Sequence, residues 1–245
     1  MGAILLFDAQ NGYPLAILDS IEITIKRTGA ATAVAARRLA RPDSRTVTLC
    51  GCGNQGRVQL ESLRQVLPIE RVYAFDADPA KAAAYAGEMS AKLSIEVEAL
   101  VERDLEAACG RSDIIVTCTP SKRPFLMQRF VRPGTFVAAV GADSPDKQEM
   151  ESGLLAGHKV VGDILEQCAR VGELHHAIEA GLMRKEDAHG ELGEVLLGKV
   201  AGRDSDEEII VYDATGTALQ DTAAAAACYR KALQEGQGTV VNLFD

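Results

Sequence analysis

The stretch Cys50-Gly51-Cys52-Gly53-Asn54-Gln55-Gly56 carries three glycines spaced as G-x-G-x-x-G. It follows an apolar, β-rich run and precedes a helical one, the context in which that spacing makes a bend for a diphosphate. Gly51 suits the tight turn, Gly53 lets a pyrophosphate approach the backbone, and Gly56 lets helix and strand pack closely. Amides at the start of the following helix then face the phosphates. The next β-rich run ends in Phe75-Asp76, where a carboxylate should meet ribose hydroxyls. Asp76 disfavours a 2′-phosphate and no Arg follows it closely, so the expected cofactor is NAD rather than NADP. Asp78 reads as the cap of a helix beginning at Pro79.

Other chemistry-bearing residues sit at the ends of later β-rich runs, where ligands bind in doubly wound sheets. Thr117-Cys118-Thr119-Pro120-Ser121 is a polar run that either borders a nicotinamide ribose or caps a turn before proline. Asp143, one small residue beyond Gly141, is placed to act as acid or base, although Asp is also a common turn residue. Lys147 reads either as a ligand for substrate or cofactor oxygen or as a solvated lysine. Arg27 suits a bidentate grip on a carboxylate, or is a surface charge. His175 and His176 are adjacent, so on a helix they should diverge; His158 and His189 stand apart, and no metal site is expected. Glu191 and Glu194 read as a solvated face. Gly-x-Ser-x-Gly is absent, so no nucleophile elbow is expected.

The elements that must position these residues alternate from Arg45 onward. Strands are expected at Thr46–Cys50, Arg71–Phe75, Ile95–Leu100, Asp113–Thr117, Thr135–Val140, Lys159–Val161 and Glu208–Tyr212. Helical segments are expected at Gly56–Gln65, Pro79–Leu93, Asp104–Cys109 and Asp146–Leu155. Nearly all-apolar strands alternating with helices mean an α/β fold with a doubly wound parallel sheet of the Rossmann type. The ends differ. Ala9-Gln10-Asn11-Gly12 joins two apolar runs as a hairpin, Ile21–Ala40 reads as a long helix, and Ala218–Gln234 as an Ala-rich packing helix. A hairpin this apolar is marginal alone. The expected division is residues 1–40 as part of a smaller α+β domain, 41–213 as the nucleotide domain, and 214–245 as a helix returning to the first.

Length and charge narrow the class. The chain has 245 residues, 47% apolar and 25% charged, an ordinary globular composition. A net charge of −9 without a basic cluster argues against nucleic acid. No apolar stretch reaches the roughly 20 residues of a membrane span, and no secretion signal is visible. Scattered cysteines suit buried thiols of a reducing compartment, so a cytoplasmic location is expected.

With these pieces assembled, the sequence resembles the ornithine cyclodeaminase/mu-crystallin family. The matching text is LFDAQNGYPLAILD, RTGAATAVAARRLARPDS, TLCGCGNQGRVQLESL, AFDADPAKA, TCTPSKRPFL, PGTFVAAVGADSPDKQE and YDATGTALQD, in order along nearly the whole chain. The resemblance implies NAD-dependent hydride transfer at the α-carbon of a small amino or imino acid. In the cyclodeaminase case, L-ornithine is oxidised to an imine, cyclises with loss of ammonia, and is reduced to proline. A pyrroline-2-carboxylate (ketimine) reductase and an alanine dehydrogenase are the alternatives within that chemistry. Carried over by position, Asp143 matches the catalytic acid/base and Arg27 a residue of the substrate cleft. Asn54, Gln55, Asp76, Thr117, Val137, Ala138, Ala139, Val140 and Lys147 match cofactor contacts. Thr215 and Gly216 match a segment that closes on substrate.

The resemblance also implies an N-terminal region with further strands, bearing an Arg and a Lys that hold the substrate carboxylate. The chain is therefore expected to be shortened, or completed by a homodimer partner or another chain. On that expectation a second class stays open, a nucleotide-binding module without catalysis.

Overall fold

The structure is a computed structural model and describes residues 2–241. The first third of the chain forms β1 (Ala3–Phe7), β2 (Pro14–Asp19), α1 (Ser20–Leu39), β3 (Thr46–Cys50), α2 (Asn54–Leu63) and β4 (Arg71–Phe75). It continues through α3 (Pro79–Leu93), β5 (Glu96–Ala99), α4 (Leu105–Cys109), β6 (Ile114–Thr117), β7 (Lys122–Leu126) and β8 (Phe136–Ala139). Then come β9 (Gln148–Met150), α5 (Ser152–Ala156), β10 (Lys159–Gly162), α6 (Leu165–Val171) and α7 (Glu173–Glu179). The last elements are β11 (Gly190–Glu191), α8 (Leu192–Leu196), β12 (Ile210–Asp213) and α9 (Ala218–Glu235).

Two compact units share the chain. Residues up to Arg27 and from Thr217 onward form one, and Thr28–Gly216 the other. The division falls inside α1 rather than at the turn after Ala40.

In the larger unit, eight strands form one sheet in the order β11-β10-β12-β8-β6-β3-β4-β5, and every pairing is parallel. The fold is α/β and Rossmann-like, as expected. The central strands β3, β6, β8 and β12 are buried almost throughout, because both faces are covered. Successive side chains of a strand point to opposite faces, and the core divides accordingly. Val47, Leu49, Ile114, Val116, Phe136, Ala138, Ile210 and Tyr212 pack in one layer with α2 and α3 residues. Cys50, Ile115, Val137, Ala139 and Val211 pack in the other, with residues of α4 to α7. Strand order reverses between β3 and β6: the chain runs outward through β4 and β5, then returns to the other side of β3. A crevice beyond the carboxyl ends of the strands belongs at such a point.

The segment Asp146–Leu155, expected to be helical, is instead β9 followed by α5. Tertiary hydrogen bonds decide it. The Gln148 amide donates to Ser121 O at 2.9 Å and the Glu151 amide to Leu126 O at 2.9 Å. The result is a two-stranded parallel pair of β7 and β9. Neither β7 nor the helices α6, α7 and α8 were expected.

In the smaller unit, β1 and β2 form an antiparallel hairpin. Leu6 of its inner face packs with Ile23 of α1 and Ala225 of α9, joined by Ile4, Leu18 and Tyr229. The Ala-rich character of α9 serves that close approach. On the other face Leu5, Phe7 and Ile17 are exposed, Ile17 by 78%.

Candidate functional site

The carboxyl edge of the large sheet is held in line by one hydrogen bond per neighbouring pair. Gly51 N donates to Phe75 O, Cys118 N to Cys50 O, Val140 N to Thr117 O, Ala214 N to Ala139 O, and Asp163 N to Asp213 O. The loops that follow β3, β4, β6, β8, β10 and β12 therefore leave the sheet at one level.

At β3 the glycines occupy three different environments. Gly51 has φ +109°, and a Cβ would come within 2.7 Å of Cys118 O; only glycine adopts that backbone easily. At Gly53 a Cβ would meet nothing within 4 Å, which is an open face where a ligand can approach the backbone. At Gly56 a Cβ would collide with the Gly51 carbonyl and the Leu49 side chain, since α2 rests on β3 there. Tyr85 of α3 holds this contact from outside, its hydroxyl donating to Gly56 O at 3.0 Å. Asn54 and Gln55 are the first residues of α2.

Asp76 closes the bend. Its Oδ2 accepts from the Cys52 amide at 2.9 Å and its Oδ1 from the Asp78 amide at 3.0 Å. Asp78 caps α3 by accepting from Ala80 N. Beyond the bend lies a cavity of about 920 Å³, lined by Gly51, Gly53, Asp76, Lys81, Thr119 and Phe125 among others. That volume lies within the range of cofactor pockets. Burial and the Asp76 carboxylate push the Cys52 thiol up to about 12, and burial raises Cys118 as well. Both thiols stay neutral, so neither repels an anion at the bend.

The other expected cofactor contacts fall elsewhere. Thr117 is fully buried inside β6 and is not among the residues lining the cavity; Thr119, two positions on, is. Val137, Ala138 and Ala139 are buried in β8, paired on both sides to β6 and β12. Val140, the next expected contact, is the first residue beyond β8 and is half-buried. Asp143 is exposed on the loop after β8, and its Oδ1 pairs with Lys147 Nζ at 2.6 Å.

Thr215 and Gly216 are held by Asp163. Thr215 Oγ1 donates to its Oδ1 at 2.9 Å and Gly216 N to its Oδ2 at 2.6 Å. Arg27, in the smaller unit, pairs through Nε with Asp221 at 3.1 Å and through Nη1 with Gln220 at 3.2 Å. His175 and His176, expected to diverge, instead have ligand atoms that lie, together with one of Glu179, within 4.8 Å of one another. His175 pairs with Glu179 and His176 Nε2 with Lys147 O, contacts that account for the cluster. Glu191 and Glu194 form a capping box at α8, and Glu191 also accepts from Leu165 N. The solvated face expected of them is replaced by these caps.

Sequence reasoning missed Glu149, Glu173 and Asp213. All three carboxylates are fully buried near this edge. Burial raises all of them, Asp213 to about 7, against the lowering effect of the backbone amides they accept from.

The fold and the bend define a Rossmann-type α/β protein with a glycine-lined ligand edge. Comparison with known proteins narrows this class. The chain belongs to the ornithine cyclodeaminase/mu-crystallin family, whose model matches residues 1–236. It is 39% identical over 244 residues to an alanine dehydrogenase of Archaeoglobus fulgidus, covering 100% of this chain and 74% of that one. Two solved structures superpose closely. An archaeal alanine dehydrogenase dimer with bound NAD has a TM-score of 0.94 at 38% identity, over 99% of this chain and 74% of that one. A Thermococcus litoralis Δ1-pyrroline-2-carboxylate reductase, in complex with NADH and L-proline, has a TM-score of 0.93 at 34% identity, over 98% and 74%. Among the described residues no helix is long and apolar enough to cross a membrane.

Proposed function

We propose that the chain binds NAD across the β3–β6 crevice and serves hydride transfer at the α-carbon of a small amino or imino acid. The observation that carries this reading is the bend itself: an open backbone at Gly53, walled by Asp76, at the point where strand order reverses. The bend fits the dinucleotide. Gly53 offers approach without a side chain, the amides of α2 offer hydrogen bonds to phosphate, and Asp76 offers acceptors to ribose hydroxyls. A 2′-phosphate would meet the Asp76 carboxylate, which favours NAD over NADP. When bound, the nicotinamide supplies hydride donation and acceptance.

The chain's own residues supply the proton. Asp143 is the acid/base: it stands on the loop after β8, open to solvent, with Lys147 Nζ at 2.6 Å from its Oδ1. From there it takes a proton from water or an amine, or returns one to an imine nitrogen. Thr215 and Gly216, pinned by Asp163, present a fixed segment to substrate; Arg27, which the resemblance assigns to the substrate carboxylate, is bonded within its own unit to Asp221 and Gln220. Within this class the cyclodeaminase reaction, ornithine to proline with loss of ammonia, is the reading carried by the family motifs. The two dehydrogenase and reductase relatives favour the simpler reactions, alanine oxidation or reduction of the cyclic imine, as a second reading. A homodimer formed over the exposed Leu5, Phe7 and Ile17 face is part of the same proposal, and sedimentation of the purified chain tests it.

The test is a coupled screen of NAD with ornithine or alanine, and of NADH with pyrroline-2-carboxylate, read by NADH absorbance. Turnover of any one supports the reading and selects the substrate. Tight NADH binding with no turnover of any would leave a nucleotide-binding module instead.

A further inference from the structure

Glu149 sits in β9, fully buried, and divides its carboxylate between two loops. One oxygen accepts from the Thr119 amide at 2.6 Å and the other from the Gly141 amide at 2.9 Å. Those amides belong to the turns after β6 and β8, neighbours in the sheet. Gly141 is pressed so closely that a Cβ would collide with the Glu149 carboxylate and with Thr119 O.

The backbone of Glu149 is itself held from behind. Glu173 Oε1 accepts from the Glu149 amide at 2.7 Å. Asp213, at the end of β12, in turn accepts from the amides of Glu173 and Leu174 at 3.2 and 2.9 Å. A succession of carboxylate-to-amide bonds thus runs from the end of β12, just before Thr215 and Gly216, to the two turns beside the crevice.

Burying a carboxylate is costly even where amides face it, and an apolar residue would pack there at lower cost. What a carboxylate offers is two acceptors on one rigid plane, so that two amides are fixed at a set separation. Glutamine cannot replace it, because its NH₂ would face one of the two N–H groups.

We propose that Glu149 is a positioning residue that sets the spacing of the Thr119 and Gly141 turns. Through Gly141-Ala142 it also fixes where Asp143 stands. In a doubly wound sheet these turns lie on the side reached by the nicotinamide half of a dinucleotide, and the glycine bend lies on the phosphate side. The inference rests on the dinucleotide reading given above.

The experiment compares the native chain with Glu149→Gln, using calorimetric titration with NADH and with ADP-ribose, which lacks the nicotinamide. The variant is expected to hold ADP-ribose within about twofold of the native affinity while NADH weakens about tenfold, the scale of one unmade hydrogen bond. Unchanged NADH affinity, or an equal loss for both ligands in a folded variant, overturns the proposal. Native chain that binds neither ligand refutes the dinucleotide reading instead.

Amide hydrogen exchange by NMR needs no ligand and covers that case, as well as a variant that fails to fold. In the native chain the Thr119 and Gly141 amides should be protected together, opening with a common free energy. Exchange of either at the rate of an exposed loop overturns the spacing role.

Discussion

On the β4 side of the crevice the glycine bend brings backbone to the surface at Gly51 and Gly53, with Gly56 packed beneath and Asp76 bonded to Cys52 N. On the β8 side the turns are made of ordinary residues, and their placement is imposed from behind by Glu149, which is fully buried and not among the residues lining the cavity. The first flank gains its shape from missing side chains and tolerates few substitutions at the bend. The second gains it from a buried charge, and its residues at the surface, Asp143 and Lys147, stay open to solvent and able to change partner. The nucleotide-binding flank and the flank that carries Asp143 are thereby shaped by different means.

The sharpest way to break this contrast is Gly56→Ala. A methyl group there collides with Gly51 O, and β3 and α2 must separate. The variant is expected to lose about 3 kcal/mol of stability, the scale of an overpacked core site, and to bind no measurable NADH in a fluorescence titration. Wild-type binding would show the bend to be more compliant than its contacts imply.

Asp143→Asn tests the opposite flank. Turnover should fall about 100-fold or more, as for a lost general acid/base, while NADH affinity stays within about twofold. Stopped-flow kinetics with direct binding separates the two, and near-normal turnover removes Asp143 from the mechanism.

The buried carboxylates make a prediction of their own about pH. Asp213 is raised from its ordinary 3.8 to about 7 in the folded chain, and Glu149 and Glu173 are raised too. Between those values the folded state binds more protons than the unfolded one. The stability this confers is complete below the ordinary carboxylate range and is lost as pH rises toward 7. Each unit of displacement is worth about 1.4 kcal/mol. Thermal unfolding is therefore expected at a temperature higher by about 5 °C near pH 5 than near pH 8, and the reverse order would contradict the burial of these groups as charges.

Smaller effects belong to the Asp76 region. Asp76→Ala should weaken NADH about tenfold and narrow its advantage over NADPH, since two acceptors for ribose are lost. Asp78→Ala removes the cap of α3, should cost about 1 kcal/mol, and should weaken NADH less than Asp76→Ala, although Asp78 also lines the cavity. If the two variants behaved alike, the ribose role would have to be reassigned.

Much of the binding half was legible in the sequence because it is local. Three glycines, an apolar strand before them and an acid at the next strand end lie close together along the chain, and each has one conformational use. The doubly wound sheet was legible for a similar reason, since two-sided burial leaves its central strands almost wholly apolar. The flank that carries Asp143 was legible only in part. Asp143 stands out beside Gly141, but Glu149 lies in Ser144-Pro145-Asp146-Lys147-Gln148-Glu149, which reads as a polar helix start. Its burial depends on Thr119 and Glu173, both distant in sequence, so no local pattern reports it. The charged run Lys122-Arg123-Pro124 hid β7 in the same way, because its pairing with β9 is set by tertiary contacts.

The central claim is that the Gly51–Gly56 bend holds the diphosphate while Asp76 takes the ribose. Amide chemical-shift mapping of the whole chain during NAD titration tests it most directly. Saturable shifts are expected first at Gly51, Cys52, Gly53 and the opening residues of α2, with Asp76 and Ala77 following the same isotherm. Saturation without movement at those amides, or shifts centred on another edge of the sheet, would contradict the account.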